Sequence, residues 1–219
     1  MWRAAFSLCS PAGAGGRLSI FIFHRVLPEP DPLFPDEPDA RRFATLLDWI
    51  GRWFNVLPLS VAVDALKTAK LPARAAAITF DDGYADNFTV ARPLLSAQGM
   101  CATFFIATGF LDGGRMWNDT VIEAIRRTPK RQLDLSALQL GCHAVGDIGE
   151  KRAASRAIID AIKYLPFAER NAYCNGIAEI SGATLPDDLM MRSAQVVAMR
   201  HLGMEIGGHT VTHPILARL

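Results

Sequence analysis

Cysteine is scarce in this chain and scattered where it occurs. Cys9, Cys101, Cys142 and Cys174 are the four among 219 residues, and no two form a C-x-x-C pair. That spacing indicates neither a disulfide framework nor a thiolate zinc site, so a reducing compartment is the default. An excess of either charge is also missing. The formal net charge is +1 with acids and bases interspersed, which makes no electrostatic case for nucleic acid as a partner. Long apolar runs are absent as well, and the longest, such as LSIFIF at 18–23, are far too short to span a bilayer. The opening MWRAAFSLCSPAGAGG has a single arginine and a short, interrupted apolar run, so it is a poor signal peptide. Leu8, directly before Cys9, is not the small residue that a lipoprotein cleavage site wants. Residues 1–16 are therefore read as an N-terminal segment with a short helix, lying on the protein body or a membrane surface. The expected location is the cytoplasm or the membrane periphery. Neither a repeat of fixed period nor a low-complexity tract is found.

What is there is a core. Half of the residues are hydrophobic, enough for one sizeable α/β domain. RLSIFIFHRV (17–26) reads as a first buried strand and is followed by a proline-rich loop, LPEPDPLFPDEP, that cannot be regular structure. Phe43, Leu46, Leu47, Ile50 and Phe54 fall at helical spacing over 39–54. Ser60 is expected to cap a short helix ending at Leu66. A strand at 75–80, a helix over 89–99 with Pro93 near its start and Gly99 as its stop, and a strand in CATFFIAT complete a β-α-β-α-β alternation. That alternation is the mark of a parallel sheet. From about 116 to 200 the pattern becomes several helices with Gly- and Pro-bearing loops, read as a helical insertion. MEIGGHTVTHPIL then returns to a strand and a loop.

Two places in this plan carry chemistry. The buried strand AAAITF stops at Asp81-Asp82-Gly83, and two adjacent carboxylates at the rim of a core are costly unless a positive group joins them or one is protonated. His209 and His213 lie four apart, but Gly207-Gly208 and Pro214 argue against a helix there. A straight strand would hold their Cα atoms roughly 13 Å apart, so the segment has to curve for both to reach one ion. Parallel α/β folds place their sites at strand C-terminal ends, where both segments fall. Two imidazoles and a carboxylate converging there form a three-ligand metal site with room for water.

TFDDG and HTVTHP resemble the first two signature motifs of the polysaccharide deacetylase family, the NodB-homology or carbohydrate esterase family 4 fold, and CATFFIATGFL is similar to the strand that follows the first motif. The resemblance covers roughly 17–110 and 200–219. It implies a partial or distorted (β/α) barrel over 17–219, interrupted by the insertion at about 116–200. It also implies a hydrolase that removes N-acetyl groups from an N-acetylated polysaccharide or glycoconjugate. In that reading Asp81 is the general base for attack by metal-activated water. Asp82, His209 and His213 hold a divalent metal, zinc ahead of other divalent transition metals. The family's later motifs, with an orienting arginine and a histidine acid, are not found before Leu219. The chain is therefore expected to be truncated at its C-terminal end, to leave sheet edges open, and to be a weak or inactive enzyme. A glycan-binding relic of the same fold is the alternative. A non-haem iron oxygenase shares the two-His-one-carboxylate set but wants a β-architecture that this sequence does not suggest.

Three further residues are expected to line the pocket: His24 at the end of the first strand, Tyr84 just past the aspartates, and Trp117, whose face suits a pyranose ring. Asn118 or Asp119 is expected to cap the helix that starts there. His143, beside Cys142 and near Asp147, matches no ligand spacing, and His201 reads as a partner for a helix C-terminus.

Overall fold

The computed structural model describes residues 2–214; Met1 of the N-terminal segment and residues 215–219 of the expected domain lie outside the described residues. A short helix α1 (Trp2–Cys9) leads into strand β1 (Ser19–Phe23), then helix α2 (Ala40–Trp53), a two-residue strand β2 (Asn55–Val56) and helix α3 (Leu59–Lys67). Strand β3 (Ala75–Phe80), helix α4 (Arg92–Ala97) and strand β4 (Thr103–Ile106) follow. The middle of the chain holds helix α5 (Trp117–Arg127), strands β5 (Gln132–Asp134) and β6 (Cys142–Ala144), and helices α6 (Ile148–Ile162) and α7 (Phe167–Ser181). Helix α8 (Ser193–His201) and strand β7 (Glu205–Gly208) complete the described part.

β1, β3, β4 and β7 lie side by side in that order, all parallel, with β2 pairing the start of β3. β3 is buried along its whole length, as expected of a central strand covered on both faces. Its three alanines let other elements approach closely. Phe80 then fills the helix-facing side, stacked between Phe23 at 5.4 Å and Phe104 at 4.7 Å, with Phe43 of α2 edge-on at 5.8 Å. Phe23, Phe80 and Phe104 are also register partners. One aromatic row thus levels the C-terminal ends of three neighbouring strands, and the residues that follow it emerge at one rim.

Among the described residues the sheet is open, a partial barrel with β1 at one edge. On β1 the side chains alternate between half-buried and exposed, and Ile20 and Ile22 are 47% and 60% exposed. α1 lies against the body, its Phe6 ring 6.1 Å from Trp53 and 5.9 Å from Phe54. Among the described residues no helix is long and apolar enough to cross a membrane.

Several local expectations are corrected. β1 is shorter than 17–26 and leaves His24 one residue past its end. Ser60 does not cap α3; Pro58 holds that position, and the Ser60 hydroxyl donates to the Glu205 carboxylate on β7. The helix expected from residue 89 begins at Ala85, with a π-helical turn over Asn87–Ala91 in which Arg92 N–H reaches back to Asn87 O. This widened turn stands directly before Pro93, whose missing N–H breaks the ordinary ladder in any case. Met116, not Asn118 or Asp119, occupies the cap position of α5, and both expected caps lie within its first turn.

The middle of the chain holds more than helices. β5 and β6 pair antiparallel as a small hairpin. Leu133 of that hairpin joins Val121 and Ile125 of α5, Ile158 of α6 and Ile177 of α7 in a second hydrophobic cluster. α6 starts at a capping box in which Asp147 and Glu150 satisfy each other's backbone N–H groups. His143 is a structural residue here, its Nε2 2.7 Å from Leu140 O. His201 ends α8, where a basic group suits the helix dipole.

Candidate active site

Beyond the aromatic row, Asp81 N–H donates to Phe23 O at 2.9 Å, which ties the first aspartate to the end of β1 and leaves it half-buried. Asp82 turns the chain with φ +76°, a left-handed conformation that aspartate tolerates better than most residues. Its own carbonyl accepts Ala107 N–H from the end of β4 at 3.0 Å. The turn directs the Asp82 side chain inward, where it is 5% exposed.

The histidine segment reaches the same rim from β7. His209 N–H donates to Ile106 O at 2.8 Å, and Thr210 Oγ accepts His213 N–H at 3.0 Å. Thr210 and His213 both have positive φ, 64° and 48°, which supplies the curvature a straight strand would lack. Gly109 allows the loop to lie close: its N–H donates to Val211 O at 2.9 Å, and a Cβ there would stand 2.5 Å from that oxygen.

The structure brings Asp82, His209 and His213 together. Asp82 Oδ1 stands 3.5 Å from His209 Nε2 and 3.3 Å from His213 Nε2, and one ligand atom from each residue lies within 4.8 Å of the others. Asp82 Oδ1 is buried and has no hydrogen-bond partner. A buried carboxylate oxygen without a donor is costly, and a divalent cation shared with two imidazoles removes that cost. Burial pushes the His213 pKa down, and nearby His209, His24 and Arg170 add to this against the pull of Asp82. The neutral imidazole so favoured is the form that ligates metal. The donor set of two nitrogens and one oxygen therefore fits a divalent transition metal.

Of the other expected residues, His24 is exposed, its carbonyl accepting Asn87 Nδ2–H at 2.9 Å. Trp117 is half-buried, with the Arg170 guanidinium 4.7 Å from its ring centroid, so that face is already covered. Tyr84 is buried in a polar cluster that the sequence reading missed. Its hydroxyl donates to Asp119 Oδ1 at 3.2 Å, and the Arg25 guanidinium lies 4.5 Å from its ring centroid. Arg25 is in turn paired with buried Asp86 at 2.8 Å. Burial works against charge on Arg25, yet Asp86, Tyr84 and Asp119 together hold it protonated. Burial lifts the Asp119 carboxyl to about 7, with Asp82 and Glu123 adding to the rise against Arg25 and the Tyr84 hydrogen bond. Asp82 also helps burial to raise Tyr84, which places this cluster within electrostatic reach of the three-residue group. The sequence offers no signal for it, because Tyr84 and Asp119 lie 35 positions apart and neither shows its partner alone.

The family model for polysaccharide deacetylases matches residues 68–144, a stretch that includes Asp81 and Asp82 but stops before His209 and His213. No curated protein matches the sequence. Among solved structures, the chain is similar to Streptococcus pyogenes deacetylase PplD in complex with acetate, with 17% identity and a TM-score of 0.52 over 92% of this chain and 60% of that one. It is also similar to a de-N-acetylase from Aggregatibacter actinomycetemcomitans (18% identity, TM-score 0.46, 88% of this chain and 54% of that one). A third is the BpsB deacetylase domain from Bordetella bronchiseptica (19% identity, TM-score 0.44, 88% and 54%). The chain spans between about half and three fifths of the length of these three. Residues 68–144 thus match the polysaccharide deacetylase model, and the chain shares its fold with the Streptococcus pyogenes deacetylase.

Proposed function

We propose that this chain is a metal-dependent N-deacetylase domain acting on an N-acetylated polysaccharide or glycoconjugate, with Asp82, His209 and His213 as metal ligands and Asp81 as general base. The observation that carries the reading is the orphaned Asp82 Oδ1 facing two imidazoles at 3.3 and 3.5 Å, at the strand ends of a sheet with the deacetylase signature. A divalent ion held there, zinc ahead of other transition metals, would polarise the amide carbonyl and make water a stronger nucleophile near neutral pH.

The protein's own part is to divide two adjacent carboxylates between two roles. Asp82 is turned inward beside the histidines, whereas Asp81 stays half-buried at the mouth and free to take a proton from the attacking water. Unlike environments for neighbouring carboxylates are a known route to separate acid-base assignments. A proton must then reach the departing amine. General acids contribute about 10²–10⁴-fold, and no motif in this chain assigns one, so turnover by the chain alone should be slow.

The test is acetate release from N-acetylglucosamine oligomers by the zinc-loaded chain, beside a chelator-treated control and Asp81→Asn. Slow release that needs the metal and is lost in Asp81→Asn is expected. Absence of acetate from a chain proven to hold zinc would overturn the enzyme reading in favour of a glycan-binding relic.

A further inference from the structure

The turn that carries Asp82 does not hold itself. Asp82 and Gly83 both have positive φ, 76° and 92°. Glycine adopts that region freely, but an L-residue such as Asp82 does so at a cost in free energy. Upstream, the chain is fixed by β3. Downstream, the partners come from the helical insertion. Ala85 N–H donates to Leu189 O at 2.8 Å and Met191 N–H donates to Gly83 O at 3.0 Å, with Tyr84 facing Met190 in an antiparallel bridge. Residues 189–191 form a strap that leads from the insertion into α8. The strap is itself anchored, because Met191 is fully buried in the main core and its carbonyl accepts Asp112 N–H at 3.3 Å.

The other end of the insertion reaches the same turn through a side chain. Tyr84, two positions past Asp82, is 4% exposed and packs with Met116, Met190 and Phe110. Its hydroxyl donates to Asp119 Oδ1, in the first turn of α5, at 3.2 Å. Arg115, just before α5, donates to Pro186 O, just before the strap, so the two ends of the insertion are tied together. The Arg25 guanidinium closes over the Tyr84 ring from the loop after β1. Tyr84 is thus gripped from three sides, yet it is not among the residues grouped around the candidate metal position.

We infer that Tyr84, through its hydroxyl bond to Asp119, is a positioning residue for Asp82. It locks the left-handed turn in the conformation that presents the carboxylate to His209 and His213, and through it the insertion serves the metal group from behind. The inference rests on the reading of those three residues as metal ligands. Once Tyr84 is released, the turn samples other conformations, and apparent zinc affinity falls with the fraction still competent to bind.

The test is calorimetric zinc titration of the full chain and of four variants: Tyr84→Phe, Asp119→Ala, Asp119→Asn, and Tyr84→Phe combined with Asp119→Ala. Tyr84→Phe keeps the packed ring and removes only the hydroxyl, and zinc affinity should fall about tenfold, as for other partners that orient a ligand without touching the metal. Asp119→Ala should lose as much. Asp119→Asn keeps an oxygen that can accept the Tyr84 hydroxyl, so it should stay within about threefold of the parent. Because both single changes break the same bond, the double variant should be no more than about twofold weaker than either. A circular dichroism melt of each variant confirms the fold and reads stability separately from binding. Lower melting temperatures with unchanged zinc affinity in Tyr84→Phe and Asp119→Ala would make the pair a structural contact only and overturn the inference. Asp119→Asn losing as much affinity as Asp119→Ala would overturn it too. A parent chain that binds no zinc would instead remove the metal reading and this inference with it, whereas a zinc-binding parent with unaffected variants leaves that reading standing.

Discussion

Replacing Asp82 by alanine should abolish measurable zinc binding, whereas Asp81→Asn should leave the zinc affinity within about threefold of the parent. Asp82 contributes the carboxylate of the three-residue group, and its buried Oδ1 has no other partner to occupy it. Loss of an outer-shell partner already costs roughly 10–100-fold in metal affinity, so loss of a direct ligand from a set of three should exceed that. Asp81 is not among the grouped residues, and the neutral amide introduced by Asp81→Asn matches the carboxylate in size. Zinc titration followed by calorimetry reads both variants directly. Asp82→Ala binding zinc as tightly as the parent, or Asp81→Asn losing it, would show that the two carboxylates have been assigned the wrong way round.

The second large effect lies beneath the site. Phe104→Ala should destabilise the fold by about 3–5 kcal/mol, the usual cost of emptying a fully packed aromatic position. Phe104 is fully buried and stacked on Phe80 with an interplanar angle of 14°. For a domain of this size each kcal/mol corresponds to roughly 2–4 °C in melting temperature. Because Phe104 belongs to the row that levels the strand ends, zinc affinity should weaken in the folded variant too. A loss of stability below about 1 kcal/mol in urea denaturation, against that range, would mean that this row does not hold the strand ends level.

The central β-α-β pattern was legible because each of its elements is specified locally. AAAITF is apolar throughout and ends in Asp-Asp-Gly, while α2 shows its buried Phe43, Leu47 and Ile50 at helical spacing. The meeting of Asp82 with His209 and His213 was legible for a related reason: both segments follow strands of one parallel sheet, and such sheets bring their ends to one rim. The curvature of the histidine loop could be required but not drawn, since it depends on left-handed residues at Thr210 and His213. The hairpin of β5 and β6 was missed because three-residue strands leave too short a period to read. Burial of Asp119 was missed for another reason. Nothing within the W-N-D run shows that Tyr84, 35 positions earlier, will close over it, or that Arg126 will reach Asp31 across 95 positions.

The central claim, that Asp82, His209 and His213 hold the reactive metal, is tested most directly by X-ray absorption at the zinc edge on the stoichiometrically loaded chain. The account predicts nitrogen and oxygen scatterers at about 2.0–2.2 Å with two imidazole signatures and no sulfur. A sulfur shell near about 2.3 Å, or a zinc ion carrying fewer than two imidazoles, would contradict it.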